Sequence, residues 1–386
     1  MDFQLTEEQT MIYEYGAKLA QTYDRTYWLE QAKEGKYLDE MWLQMGQDGF
    51  LGLMVEEKYG GAGLGIFELA LLMEGMANAG IATLMLLAGP AMFITPIAKH
   101  GTPEQRAFYL PDACAGKTRS AFMITEPDAG TNSMRIKTFA KRDGDGFLLN
   151  GSKMFITGAD IADHALLVAR TTPLDQVKRK TEGFTLFLLD MKSAGIQMTP
   201  IEISITAPEK QYMVYFDNVK LGPEHVLGEV DKGFQLLFDS LNPERILIAG
   251  MNTGFGRYAL DKAVEYANER KIFDAPIGAY QGVQHPLAIA KTEIELASLM
   301  MRKAAWMFDQ GIDCGGESNM AKYAAAEAAI KAVDAAIQTH GGNGFTKEYG
   351  IFDLYPLVRL SRTAPINREV VLSYIGEHVM GLPRSY

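Results

Sequence analysis

Apolar residues recur at helical spacing from residue 6 to about 79, and Thr6 with Gln9 three positions later predicts a capping box at the start of that stretch. A glycine-rich break, Tyr59-Gly60-Gly61-Ala62-Gly63, interrupts it. Thr102-Pro103-Glu104-Gln105 predicts another helix start, with Thr as N-cap, Pro at the first helical position and Gln closing the box. Near Thr118 the pattern changes to short runs rich in Ile, Val, Phe, Tyr and Thr, at 120–125, 136–142, 153–157, 165–170, 184–189 and 212–216. Turn residues such as Asp143-Gly144-Asp145-Gly146 and Asn150-Gly151 separate them. From Gly233 the helical period returns, with Leu260, Ala263, Val264 and Ala267 in one stripe and Met320, Ala324, Ala328, Val333 and Ile337 contributing to another. Small residues on that second helix predict close helix packing. The chain thus divides into a helical domain (1–118), an all-β domain (119–232) and a second helical domain (233–386), an α+β multidomain protein without internal repeats. Its 386 residues also exceed what one hydrophobic core organises.

Composition narrows the function classes. Hydrophobic residues at 47% and charged residues at 22% are those of a folded globular chain. A formal charge of −11 repels phosphate polymers and anionic lipid, so nucleic acid and membrane surfaces are not expected partners, and any phosphate-bearing ligand must be held by local donors. Cys114 and Cys314 allow at most one disulfide and no cluster, which points to the reducing cytoplasm. The start, Met1-Asp2-Phe3-Gln4-Leu5, has no basic patch or apolar leader, and no run of about 18 apolar residues occurs. The expectation is a chain neither secreted nor membrane-spanning. The six histidines never fall at the paired spacing of a zinc site, so no metal is expected. No Gly-x-Ser-x-Gly elbow, Walker loop or dinucleotide fingerprint is present, which removes the usual hydrolase, NTPase and nicotinamide readings.

The loop Thr125-Glu126-Pro127-Asp128-Ala129-Gly130-Thr131-Asn132 follows a predicted strand and is dense in small residues and hydroxyls. Such a loop offers backbone N–H groups to a ring or a phosphate, or simply joins two strands. It resembles the acyl-CoA dehydrogenase loop Thr-Glu-Pro-x-Ala-Gly-Ser-Asp. Asn150-Gly151-Ser152-Lys153-Met154-Phe155-Ile156-Thr157 resembles that family's companion segment at the family's spacing. Further on, Arg270-Lys271-Ile272-Phe273-Asp274-Ala275-Pro276-Ile277, the pair Gln281 and Gln284, and Gln338-Thr339-His340-Gly341-Gly342-Asn343-Gly344-Phe345 are similar to its C-terminal cofactor-binding elements.

The resemblance runs over nearly the whole chain and implies a middle β-barrel or sandwich, a C-terminal four-helix bundle and an FAD cofactor. It places Phe122, Ile124, Thr125, Phe155, Ile156 and Thr157 along the isoalloxazine and Gly130 and Thr131 at the pyrophosphate region. Arg270, Phe273, Gln338, Gly341 and Gly342 would close over the cofactor of a neighbouring subunit, with Gln281 and Asn367 further cofactor contacts, in a homotetramer. Thr131 and Arg245 would meet the substrate. Arginine gives a forked donor for phosphate, and paired glycines let backbone N–H groups approach it.

Desaturating an acyl thioester requires a carboxylate to take the α proton while a hydride leaves the β carbon. The family supplies that glutamate from one of two places. In the commoner one this chain has Thr363-Ala364-Pro365-Ile366-Asn367-Arg368-Glu369, with Pro365 at the position of the base and no N–H there to polarise the thioester carbonyl. The second place is Leu241-Asn242-Pro243-Glu244-Arg245, where Glu244 matches the base of isovaleryl- and long-chain-type members. The local text also reads as a helix start, with Asn242 as N-cap, Pro243 at the first position and Glu244 complementing the dipole. Glu369 matches a separate position. Three functions follow from the resemblance: an acyl-CoA dehydrogenase passing electrons to an electron-transferring flavoprotein, a related reductase, oxidase or oxygenase, and a silent acyl-CoA-binding relative.

Overall fold

A computed structural model describes residues 4–384, so the first three residues of the stretch read for a leader lie outside it. Both predicted capping boxes form. Thr6 caps α1 (Glu7–Thr22) and Thr102 caps α6 (Pro103–Cys114), each hydroxyl accepting from the backbone N–H three residues on. Between them run α2 (Arg25–Glu34), α3 (Asp39–Gln47), α4 (Ile66–Asn78), an eight-residue π-helix (Leu87–Ile94) and α5 (Thr95–His100). The glycine-rich break at 59–63 is the turn before α4. There Gly61 packs so closely on the Val55 carbonyl that a Cβ would collide with it.

The β region is one eight-stranded sheet. Its strands are β1 (Ser120–Met123), β2 (Phe139–Asp143), β3 (Gly146–Thr157), β4 (His164–Arg170), β5 (Phe184–Asp190), β6 (Ile196–Ile201), β7 (Gln211–Leu221) and β8 (Val226–Leu227). The order is β6-β7-β3-β2-β4-β5-β8, with β1 added parallel to β4. Both faces of β4 are buried. Ala165, Leu167 and Ala169 join Phe147, Phe187 and Val214 in a core enclosed by the sheet, while Leu166 and Val168 pack outward on Phe93, Ile97 and Leu110 of the first helical region. The run predicted at 153–157 is only the end of a twelve-residue strand, and β6 and β8 are strands the pattern did not predict.

The last region contains α7 (Gly233–Leu236), α8 (Phe238–Glu269), a two-strand hairpin of β9 (Lys271–Ile272) and β10 (Ala275–Pro276), α9 (Gln281–Asp309), α10 (Gly315–His340), α11 (Leu354–Leu360) and α12 (Arg368–Tyr374). One expectation is corrected here. Asn242 and Pro243 do not start a helix, because α8 begins at Phe238 and both residues lie inside it. The alanines of α10 face α8 and α9 within the same subunit: Ala321, Ala325, Ala329 and Ala332 share one core with Ala259, Ala263, Ile294 and Ala297. Among the described residues no helix is long and apolar enough to cross a membrane, both cysteines are free and buried, and no group of side chains is arranged to hold a metal ion.

Candidate active site

A cavity of about 1210 Å³ opens where the three regions meet. One wall is the sheet edge: Phe122 lies in β1 with Ile124 and Thr125 just after it, and Phe155, Ile156 and Thr157 end β3. The two segments are clasped together, since Met154 N–H donates to the Thr125 carbonyl at 2.8 Å. Phe155 sits in a β-bulge with φ 58°, and 53% of it is exposed. A bulky residue held in this left-handed conformation costs of order 1–3 kcal/mol and marks a site where side-chain direction matters. Thr157 exchanges hydrogen bonds with Gln211 at 3.0–3.2 Å, another cavity residue.

The loop 125–132 is pinned from beneath by a pair that motif reading overlooked. Lys153 is fully buried, and its Nζ donates to Glu126 Oε1 at 2.8 Å and to the Ile124 carbonyl at 2.9 Å. Glu126 also accepts from the backbone N–H groups of Lys137 and Thr138 at 2.5 and 3.0 Å. Burial pushes the Lys153 ammonium down to about 8 against the pull of Glu126. Burial also works to raise Glu126, yet Lys153 and the backbone donors hold it below the ordinary carboxylate value. Both groups are therefore charged near neutrality, and the loop's outer side faces the cavity with nothing near the Cα of Gly130. Asn367 Nδ2 donates to Thr131 Oγ1 at 2.6 Å, tying this loop to the N-cap of α12.

Glu244 and Arg245 come from the facing helix, α8. Glu244 lies deep in the protein but keeps part of its surface open to the cavity. Among the described residues its carboxyl makes no hydrogen bond. Burial raises it to about 8, with Arg245 and Lys322 partly opposing. Asn242 accepts from Arg245 Nη1 at 2.9 Å instead of capping a helix. Ala364, Pro365 and Ile366 line the same cavity, held by Lys322 Nζ donating to the Ile366 carbonyl at 2.5 Å. Burial, with Arg245 adding to it, lowers Lys322 to about 8. Glu369 is exposed on α12, away from the cavity.

Arg270, Phe273, Gln281, Gln338, Gly341 and Gly342 are not in this cavity. At 1.5 Å per residue, Arg270 lies about 39 Å along α8 from Glu244. Phe273 and Asp274, at φ 47° and 69°, form the tip of the β9–β10 hairpin, and Phe273 is 90% exposed. Gly341 and Gly342 have open space around them. This is a second, solvent-facing group at the far end of the bundle.

Models of the acyl-CoA dehydrogenase N-terminal, middle and C-terminal domains match residues 6–117, 121–219 and 231–380. Acyl-CoA dehydrogenase FadE12 of Mycobacterium tuberculosis is 44% identical over 383 residues, which is 99% of this chain and 98% of that protein. The chain belongs to the acyl-CoA dehydrogenase family. Butyryl-CoA dehydrogenase from Megasphaera elsdenii superposes with a TM-score of 0.93 at 29% identity, covering 98% of this chain and 100% of that one. The FAD complex of PigA superposes at 0.92 and 26% identity, covering 99% and 100%. As an acyl-CoA dehydrogenase the protein is a flavoenzyme that dehydrogenates an acyl-CoA, and its cofactor is FAD. The strand-edge wall fits that cofactor. It offers apolar contacts from Phe122, Ile124 and Ile156 to a planar ring and the hydroxyls of Thr125 and Thr157 to its polar edge, with an open glycine in the adjoining loop.

Proposed function

We propose that Glu244 is the base that takes the α proton in this dehydrogenation. The observation behind this reading is a carboxyl in an apolar cavity, raised to about 8, unbonded and facing the wall where the cofactor fits. Bound FAD supplies the hydride acceptor for the β hydrogen. Glu244 gains the α proton as the C–H electron pair moves to form the double bond, so proton and hydride leave adjacent carbons. Raising a carboxyl toward neutrality brings its basicity closer to what α-proton abstraction needs, and burial is the means. Pro365 brings neither a carboxylate nor an N–H to the reaction, which leaves the base to α8 and the polarisation of the carbonyl to other donors.

We further read the solvent-facing group at 270–342 as the part of the site that each subunit gives to its neighbour in a homotetramer. An exposed apolar stripe on α9, Ile289, Leu296, Leu299 and Trp306, supports this assembly, because such a row ordinarily seeks a protein partner. Electrons then pass to an electron-transferring flavoprotein, the acceptor that the family resemblance implies. Two free, buried cysteines accord with a cytoplasmic enzyme. Anaerobic addition of acyl-CoA thioesters to the FAD-loaded protein tests the reading. Bleaching of the flavin absorbance is the expected result, and a flavin that stays oxidised with every thioester would overturn it.

A further inference from the structure

The cavity follows one face of α8 over about the first half of the helix. Leu237, Leu241, Glu244, Ile248, Met251 and Phe255 all line it at steps of three or four residues, so the cavity runs parallel to the helix axis with Glu244 part-way along.

Its two ends differ. At the Leu237 end the lining mixes Lys180 with the aromatic rings of Phe234 and Phe238. Lys180 sits there because its carbonyl accepts from Arg170 Nη2, and Arg170 stacks on Phe184, which contacts Phe234 before α8. At the Phe255 end, Gly254 packs on Ala77 and Gly80 lies against Tyr258, which brings the 80–84 segment to the tip of the cavity. There the wall is Phe255, Trp28, Ala82 and Leu84, with Trp28 locked by its indole N–H donating to the Ala82 carbonyl at 2.8 Å. Phe255 and Trp28 are 1% and 2% exposed, so this end is closed. Glu209, the acid in this wall, has its Oε1 taken by Thr83 Oγ1 and Leu84 N–H. The rest of the inner arm is mainly apolar, with Leu87 and Ala88 of the π-helix and Ile248 and Met251 of α8 in its lining, and Ser361, whose hydroxyl accepts from Asn252 Nδ2 at 2.9 Å, as a polar exception.

We infer that the inner arm is an acyl tunnel built for a largely apolar chain of about a dozen carbons. This rests on the reading of Glu244 as the base, which fixes where the α carbon sits. From Glu244 to Phe255 is eleven residues, about 16 Å of helix. An extended chain of C–C bonds near 1.5 Å advances about 1.3 Å per carbon, so the arm takes about ten carbons beyond the reacting bond once the width of the end wall is allowed for. Ala88 is a small side chain in the wall of this arm, so a larger residue there would narrow it.

The test is the rate of flavin reduction at limiting acyl-CoA for butyryl-, octanoyl-, dodecanoyl- and octadecanoyl-CoA, in the wild type and in Ala88→Phe. Burying each added CH2 strengthens binding about fourfold, so the wild-type rate should climb steeply from butyryl to dodecanoyl and stop climbing before octadecanoyl. In Ala88→Phe the ratio of dodecanoyl to butyryl rates should fall at least tenfold. A wild-type enzyme fastest with butyryl-CoA and slow with dodecanoyl-CoA would overturn the tunnel while leaving the dehydrogenase reading intact. A flavin-replete Ala88→Phe with an unchanged ratio would overturn it as well. No reduction by any thioester would instead overturn the function beneath it. Should Ala88→Phe lose its flavin, the wild-type series alone decides.

Discussion

Burial acts on Glu244 in two opposite directions, making it a stronger base and making the folded protein less stable when it is charged. In its proposed role as base, the active form of Glu244 is the carboxylate. Because burial raises the group to about 8, flavin reduction at limiting acyl-CoA should increase about tenfold per pH unit below that value and level off above it, measured by anaerobic stopped-flow across pH 6 to 9.5. The stability effect has the reverse sign. A free glutamic acid titrates near 4.3, so between about 4.3 and 8 the folded state holds a proton that the unfolded chain has released, and stability falls as pH rises through that window. Glu244→Gln should therefore melt at increasingly higher temperature than wild type as pH goes from 5 to 8, with the difference levelling off above that, read by thermal scans of both proteins. At this scale the sequence was informative about identity and misleading about context. Asn242-Pro243-Glu244 has the composition of a helix start, yet Leu237 and Leu241 drive the preceding turn into the cavity wall and the core, and that burial carries α8 upstream through Pro243.

Among the elements, β3 shows why the site was partly legible. The motif 150–157 was visible, but Asn150-Gly151 reads as a turn, whereas Gly151 at φ 140° fits against Thr138 at an irregularity inside a continuous strand. Strand β6 escaped the pattern because it is an edge whose side chains are nowhere fully buried, so its alternation carries little apolar signal. Lys153 was quoted within the motif without a role, since a lysine in a strand ordinarily points to water and only the fold shows it sealed beneath the loop. Removing one member of a buried pair leaves the other charge uncompensated, which costs about 3–5 kcal/mol. Lys153→Met should lower the urea midpoint accordingly and, by freeing the 125–132 loop, reduce the FAD retained through gel filtration.

At the scale of the molecule, the three-part order of helix, sheet and helix was readable from the change of hydrophobic period alone. The packing of α10 was not, because an alanine stripe looks the same whether it faces its own bundle or a second subunit. Here it faces α8 and α9, so the case for assembly moves to the exposed row on α9 and to the hairpin and glycines that lie about 39 Å from the subunit's own base. Placing a charge in that row, as in Leu296→Glu, should shift the mass seen by light scattering to smaller species and release flavin, since in the proposed assembly each site would lose its neighbour's contribution. On the proposed assignment the reaction depends on one carboxylate on α8, Glu244. The direct measurement is anaerobic reduction of enzyme-bound FAD by a good acyl-CoA in wild type and in Glu244→Gln, with flavin content and acyl-CoA binding checked in both. General-base removal predicts a loss of on the order of 10²- to 10⁴-fold in the variant with binding preserved. Reduction of the Glu244→Gln flavin at the wild-type rate would contradict the assignment.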